Sequence, residues 1–195
     1  MSSNLIIISG PSGSGQDSVI KGLEKFFSIE RVITFTTRAM RPGEAEGKPY
    51  YFISKDEFKK KIKNKEFFEY AKQYNGNFYG VANAEITRVR DSGKPGIWKI
   101  DYQGVINVKK KMPDIPAILI IAPLDVLEER IKKRDAATDK YIKDRMNYTK
   151  KWLKHTDIYD YIVENKDGHL DETVRQVKKV ITKIKDAISH KDNNQ

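Results

Sequence analysis

The sequence predicts an α/β fold built around a central parallel sheet. Residues 5–9 form a short β-branched apolar run, as expected of a strand buried on both faces. A glycine-rich turn follows, and a helical pattern then runs from about Asp17 to Phe27. Later strand-like and helical segments alternate, with strands predicted at 32–35, 96–100, 117–121 and 161–163 and helices at 105–111, 124–133, 141–153 and 174–187. Such alternation is typical of a parallel sheet with helical crossovers.

Residues 36–90 interrupt this alternation. Turn residues at 41–43 and 75–77 separate short aromatic runs such as Tyr50-Tyr51-Phe52. Turn residues between short aromatic runs favour hairpin-like strands over helices. We therefore expect an inserted lobe with local antiparallel strands.

Composition narrows the class of protein. The chain has 195 residues, a length that suits one domain. It contains no cysteine, which excludes disulfide scaffolds, thiolate zinc sites and cysteine nucleophiles. The longest apolar stretches, at 5–8 and 117–124, are far shorter than the roughly 20 residues of a membrane span. We expect a soluble cytoplasmic protein with neither a secretion leader nor a membrane partner.

The charge is strongly positive, with 37 Lys+Arg against 27 Asp+Glu and a formal net charge of +10. Such an excess fits either a nucleic-acid partner or small polyanionic substrates. Much of it is diffuse lysine, as at 59–61 and 109–111, which is typical of solvated helix faces. The sequence has no basic–aromatic platform motif, so we expect no nucleic-acid partner.

The segment 10–17, GPSGSGQD, lies between the first strand and the first helix. Glycines there allow backbone N–H groups and the helix N-terminus to point at an anion. The standard phosphate-loop pattern is G-x-x-x-x-G-K-[ST]. Gly10 and Gly15 fit it, whereas Gln16 replaces the lysine and Asp17 the hydroxyl residue. The other interpretation is a plain glycine-rich turn whose helix has Asp17 as its cap.

A second anion motif follows at 34–44, which is dense in hydroxyls and arginines. Arg38 and Arg41 are three residues apart, so their guanidinium groups can converge on one phosphate. The phenolic hydroxyls of Tyr50 and Tyr79 can bind the same anion. The other interpretation of both tyrosines is hydrophobic packing.

Together these motifs resemble the guanylate kinase family. The resemblance covers nearly the whole chain, through GPSGSG, TTRAMRPGE, GKPYYF, FFEYA, NGNFYG, IDYQG, RIKKR…DRM and VENKD. It implies a P-loop three-layer α/β fold with an inserted GMP-binding lobe and a helical lid. The expected divisions are a single domain at 1–190, with its core at 1–33, 91–125 and 154–190, the lobe at 34–90, the lid at 126–153, and a frayed tail at 191–195.

The resemblance also implies an enzyme that phosphorylates GMP with ATP, using Mg²⁺, as a monomer or homodimer. The implied GMP-binding residues are Thr34, Arg38, Arg41, Tyr50, Glu69, Tyr79 and Asp101. The implied ATP-binding residues are Gly10, Ser12, Gly13, Ser14, Gly15, Gln16, Asp17, Ser18, Arg130 and Asn165. The residues predicted to act in catalysis are Arg41, Lys99, Arg134 and Arg145, with Asp17 as the metal ligand.

Base recognition has a chemical basis. Guanine offers donors at N1 and N2, and the carboxylates of Glu69 and Asp101 can accept them. The other interpretation of Glu69 is an exposed helix residue. Val81 stands where the family usually has a serine or threonine that contacts guanine O6, so base selectivity is either weaker or supplied by another group.

Lys99 is a further departure, because the family usually has an aspartate there. The loop has thus lost a cation at Gln16 and gained an anion at Asp17, while Lys99 restores positive charge. Our hypothesis is that Lys99 reaches the β- and γ-phosphates and that Asp17 binds Mg²⁺. The alternatives are a Lys99–Asp17 ion pair that only stabilises the loop, and a catalytically crippled enzyme.

Two other functions stay open at this point. One is a catalytically impaired guanylate kinase-like module that binds GMP or a phosphopeptide, which the altered loop favours and the lid arginines oppose. The other is a nucleoside monophosphate kinase of altered base preference, prompted by Val81.

Overall fold

Two five-stranded sheets and seven α-helices make up the part of the chain that the computed structural model describes, residues 4–73, 75–135 and 138–192. The strands are Leu5–Ser9 (β1), Glu30–Arg31 (β2), Thr34–Thr36 (β3), Ala45–Glu46 (β4), Pro49–Phe52 (β5), Phe67–Lys72 (β6), Phe78–Ala82 (β7), Gly96–Trp98 (β8), Ala117–Ile121 (β9) and Tyr161–Glu164 (β10). The helices are Gln16–Leu23 (α1), Lys55–Lys63 (α2), Asn83–Asp91 (α3), Tyr102–Lys111 (α4), Leu124–Asp135 (α5), Asp139–Trp152 (α6) and Leu170–Asp192 (α7), with a 3₁₀ helix at Leu153–Ile158.

The core sheet has the order β10-β9-β1-β8-β2, and every pairing in it is parallel. All five residues of β1 are buried. Side chains of α1 and α7 cover one face, and side chains of α3 and α4 cover the other. A strand covered on both faces explains the unbroken apolar run at 5–9. The predicted three-layer α/β fold is confirmed.

The lobe sheet has the order β4-β5-β3-β7-β6. Its β6–β7 and β3–β7 pairs are antiparallel, as expected, but β3–β5 and β4–β5 are parallel. The expectation of antiparallel strands was therefore wrong for two of the four strand pairings in this sheet. The twelve residues between β3 and β5 are long enough for a crossover to a parallel neighbour.

Several element ends differ from the prediction. In place of one strand at 32–35 the chain has two short strands, β2 just before that range and β3 at its end, and they belong to different sheets. Strand β8 ends at Trp98, and Asp101 then caps α4 by accepting the Gly104 N–H at 2.9 Å. Helix α7 extends through Asp192, and the rest of the predicted tail, 193–195, lies outside the described residues.

No helix among the described residues is both long enough and apolar enough to cross a bilayer.

Candidate active site

A single cleft of about 420 Å³ brings the predicted site residues together. It lies beyond the carboxyl ends of β1 and β8, where ligands bind in open parallel sheets. The core, the lobe and the lid all contribute to its walls. Every predicted site residue except Asn165 lines it.

The glycine-rich loop connects β1 to α1. Gly13 and Gly15 have φ angles of +87° and +86°, a left-handed conformation that glycine adopts without strain. Helix α1 then begins at Gln16, so its free N–H groups face the cleft. Loop and helix N-terminus together have the backbone geometry of the anion site that the sequence predicts.

Asn165 lies beneath this loop, not in the cleft. Its Nδ2 donates to the Ser14 carbonyl at 2.8 Å, and its Oδ1 accepts from the Thr173 hydroxyl at 3.1 Å. The residue is only 4% exposed. A Cβ on Gly15 would collide with the Asn165 amide. This steric limit is a second reason, besides the positive φ angle, why the position requires glycine. Asn165 therefore braces the loop from below.

Gln16 and Asp17, the two departures in the loop, make different contacts. The Gln16 amide donates to the Gly10 carbonyl, so it closes the loop on itself. The Asp17 carboxylate accepts from Lys99 Nζ at 2.9 and 3.0 Å and from Arg31 at 3.2 Å. Partial desolvation within the cleft opposes ionisation of Asp17, but the two cations outweigh it and lower the pKa of the carboxyl.

Lys99 lies between the two predicted phosphate sites. Its Nζ is 5.3 Å from the centre of the Tyr50 ring on the lobe side and pairs with Asp17 on the loop side. Burial would lower the pKa of Lys99, but Tyr50 and Asp17 together raise it. The ammonium group is therefore charged and close to both sites.

The arginines of the lobe are held by acidic and aromatic neighbours. Arg38 makes a two-pronged contact with Glu44 at 2.7 and 2.8 Å, and its guanidinium lies 5.2 Å from the Tyr50 ring centre. The hydrogen bond from Arg38 outweighs burial and lowers the pKa of Glu44. Tyr79 packs on Tyr50 with 6.2 Å between ring centres. Arg41 is exposed, and its backbone N–H donates to the Glu44 carboxylate at 2.8 Å.

The lid arginines reach across to the loop. Arg134 Nη2 and Arg145 Nη1 both contact the Ser12 hydroxyl, at 3.1 and 2.8 Å. Arg130 donates to the Gly13 carbonyl at 3.3 Å and pairs with Asp167 at 3.0 Å. Helices α5 and α6 thus direct two guanidinium groups to one point above the phosphate loop.

Two carboxyl groups, the buried Glu69 and the half-buried Asp101, lie at the other end of the cleft. Glu69 lies on β6 and is 5% exposed, so it is not the exposed helix residue of the alternative interpretation. Burial raises its pKa to about 7. The hydrogen bond that Asn107 donates to it is long, at 3.4 Å, and lowers the pKa only in part. Burial also raises the pKa of Asp101. Val81, the register partner of Glu69, is fully buried.

A family model described as "Guanylate kinase" matches residues 2–184. This chain belongs to the guanylate kinase family. A guanylate kinase of Buchnera aphidicola subsp. Schizaphis graminum is 42% identical over 167 residues, covering 84% of this chain and 80% of that relative. A guanylate kinase of Clostridium tetani is 38% identical over 192 residues, covering 94% and 91% of the two chains. The resemblance predicted from the motifs is confirmed.

The fold agrees with a solved guanylate kinase. The crystal structure of guanylate kinase from Anaplasma phagocytophilum aligns with a TM-score of 0.74 at 30% identity. The alignment covers 93% of this chain and 86% of that chain. The guanylate kinase fold therefore extends over core, lobe and lid together.

The guanylate kinase cleft offers one carboxylate for a metal ion at its loop end. Among the described residues, no three His, Cys, Asp or Glu side chains cluster so as to hold a metal. A kinase-type Mg²⁺ needs only one or two carboxylates, because substrate phosphates supply further oxygens. The Asp17 side chain is 67% exposed and lines the cleft, so it fits that requirement.

Sequence reasoning missed four residues of the site. Arg31 pairs with Asp17, Glu44 holds Arg38, and Gln73 and Tyr148 both contact Asp101. Glu44 was visible within the TTRAMRPGE motif but had no role assigned. The other three come from separate elements, and only the folded chain brings them to their partners.

Proposed function

We propose that this chain transfers the γ-phosphoryl group of ATP to GMP, giving ADP and GDP. The observation that carries the proposal is one cleft in which a phosphate loop, a lobe arginine–tyrosine set and two lid arginines face each other. Two phosphate sites facing each other are what a transfer between two nucleotides requires.

The loop with the α1 N-terminus would bind the phosphates of ATP. Arg38, Arg41, Tyr50 and Tyr79 would bind the phosphate of GMP. An oxygen of the GMP phosphate attacks the γ-phosphorus in line, and the bond from the γ-phosphorus to the β–γ bridging oxygen breaks, leaving ADP. No covalent intermediate on the protein is needed.

Lys99 would supply the cation that the loop lacks. It lies beside both phosphate sites and carries a charge. A cation about 4 Å from a phosphate contributes roughly 4 kcal/mol at an effective dielectric of 20. The ion pair with Asp17 keeps the ammonium group in place before the nucleotide binds. Once Lys99 turned to the phosphates, a carboxylate oxygen of Asp17 would be left to hold Mg²⁺. Bound there, Mg²⁺ would neutralise charge on the phosphate oxygens.

The lid arginines would act on the migrating phosphoryl group. Arg134 and Arg145 converge on the Ser12 hydroxyl, a position that phosphate oxygens can take over. Phosphoryl transfer is catalysed mainly by positioning and charge neutralisation, and two guanidinium groups supply both. Closure of α5 and α6 over the cleft also excludes water, which would otherwise hydrolyse ATP.

The carboxylates of Glu69 and Asp101 would select the base. Glu69 and Asp101 are acceptors, and guanine presents N–H donors at N1 and N2. Adenine lacks this pair of donors, so binding it leaves buried acceptors unsatisfied. The impaired binding module and the kinase of altered base preference are not favoured, since the relatives reported above are named guanylate kinases.

A coupled assay of ADP release tests the proposal directly. With ATP and Mg²⁺ present, we expect ADP release that depends on GMP and is not matched by AMP, CMP or UMP. Arg38→Ala should raise the KM for GMP strongly, whereas Lys94→Ala, outside the cleft, should change nothing. Absence of GMP-dependent ADP release from folded protein would contradict the proposal. GMP binding without turnover would then indicate the binding module, and faster turnover of another monophosphate would indicate an altered base preference.

A further inference from the structure

One carboxylate in the cleft is shared by three parts of the molecule. Asp101 Oδ1 accepts the Gly104 N–H at 2.9 Å, at the start of α4 in the core. Asp101 Oδ2 accepts from Gln73 of the lobe at 3.3 Å and from the hydroxyl of Tyr148 at 2.9 Å. Tyr148 lies on α6, the second lid helix. The orientation of Asp101 therefore depends on core, lobe and lid together.

Tyr148 follows Arg145 by three residues, and this spacing places both on one face of α6. Arg145 contacts the phosphate loop at Ser12, while Tyr148 contacts Asp101. The Tyr148 ring is fixed by Tyr102 and Trp152, with ring centres 5.5 and 6.1 Å apart. The same rigid helix thus touches the ATP end and the base end of the cleft.

We propose that Tyr148 is a positioning residue that couples the lid to guanine recognition through Asp101. The inference rests on the proposed function, in which Asp101 reads the base. Its physical content is that the Tyr148 hydroxyl fixes the carboxylate rotamer. Guanine then meets an acceptor already in place when α6 is seated. Without that hydroxyl, Oδ2 keeps the longer hydrogen bond from Gln73, and the carboxylate has more rotational freedom.

Tyr148→Phe tests this, since it removes the hydroxyl and keeps the packed ring. We expect kcat/KM for GMP to fall about tenfold, as for loss of a hydrogen bond to a charged group. The KM for ATP should stay within about twofold, because the ATP end is untouched. Tyr161→Phe, on β10 and outside the cleft, is the matched control and should leave both constants unchanged.

A double-mutant cycle with Asp101→Asn separates positioning from packing. If Tyr148 acts through Asp101, Tyr148→Phe should change kcat/KM for GMP by less than about twofold in the Asp101→Asn background. Additive effects would overturn the inference. Where Asp101→Asn turns over too slowly, GMP dissociation constants from calorimetry complete the same cycle. A wild-type chain that does not phosphorylate GMP would overturn the proposed function, whereas an active wild type with an additive cycle overturns this inference alone.

Discussion

At the scale of single residues, Glu69 shows how burial sets what a carboxyl group can do. It lies on β6 with 5% of its surface exposed, and burial raises its pKa to about 7. The nearby Asp101 carboxylate raises it further, while Asn107 and Lys111 partly oppose the shift. A protonated Glu69 has lost part of its capacity to accept from guanine.

We therefore predict that kcat/KM for GMP rises with pH through about 7. The raised pKa means that Glu69 is protonated below that pH and ionised above it. The ionised fraction falls about tenfold between pH 8 and pH 6, and kcat/KM should follow it, since that constant reports the free enzyme. The phosphate of GMP titrates near pH 6 as well. Glu69→Gln separates the two titrations, because the pH profile of this variant should show only the titration of the GMP phosphate. Identical profiles for wild type and Glu69→Gln would show that Glu69 does not control the acid limb.

Single site residues could be predicted from the sequence where they belong to a recognisable motif. The sequence places Arg38, Tyr50 and Glu69 in recognisable motifs, and all three line the cleft. It gives no sign that Arg31 pairs with Asp17, or that burial moves the pKa of Glu69. Those facts depend on packing between segments far apart in the chain, which periodicity and spacing do not report.

At the scale of secondary-structure elements, the phosphate loop is held from below by the segment that follows β10. Asn165 connects the Ser14 carbonyl to the Thr173 hydroxyl at the start of α7. The backbone conformation of the loop thus depends on a buried side chain more than 150 residues later in the chain. Removing that side chain takes the donor away from the buried Ser14 carbonyl, while the Thr173 hydroxyl keeps only its hydrogen bond to the His169 carbonyl at 3.2 Å.

Asn165→Ala should lower the free energy of unfolding by about 1–3 kcal/mol, the usual effect of unsatisfied buried polar groups. It should also raise the KM for ATP severalfold and leave the KM for GMP unchanged, because only the loop loses support. Denaturant unfolding and steady-state kinetics measure both effects. Asn64→Ala, at the exposed C-cap of α2, is the control. Unchanged stability together with an unchanged KM for ATP would refute the bracing role.

The elements of the core were predictable, while those of the lobe were less so. A strand buried on both faces has an unbroken apolar run, and β1 and β9 match their predicted ranges. In the lobe, short aromatic runs mark strands but carry no information on direction. The parallel pairing of β3 with β5 was missed for that reason. Helix α1 ends at Leu23, four residues before the end of the helical pattern in the sequence.

At the scale of the whole molecule, the cleft exists only where core, lobe and lid meet. Lys99 follows core strand β8, its ammonium group lies by Tyr50 of the lobe, and it pairs with Asp17 at the loop. The sequence suggested that opposite charges had exchanged places across a phosphate pocket. The structure brings those charges into contact. That contact is the ion pair of the loop-stabilising interpretation, and it also fits the exchange hypothesis, in which both groups face the same phosphates.

The turnover number of Lys99→Ala, measured with saturating ATP, GMP and Mg²⁺, distinguishes these two explanations. Lys94→Ala serves as the control for loss of a lysine outside the cleft, and thermal unfolding confirms that each variant is folded. If Lys99 replaces the loop lysine, kcat should fall about a thousandfold, as for loss of roughly 4 kcal/mol of transition-state stabilisation. A folded Lys99→Ala enzyme with a kcat near that of wild type would contradict the account.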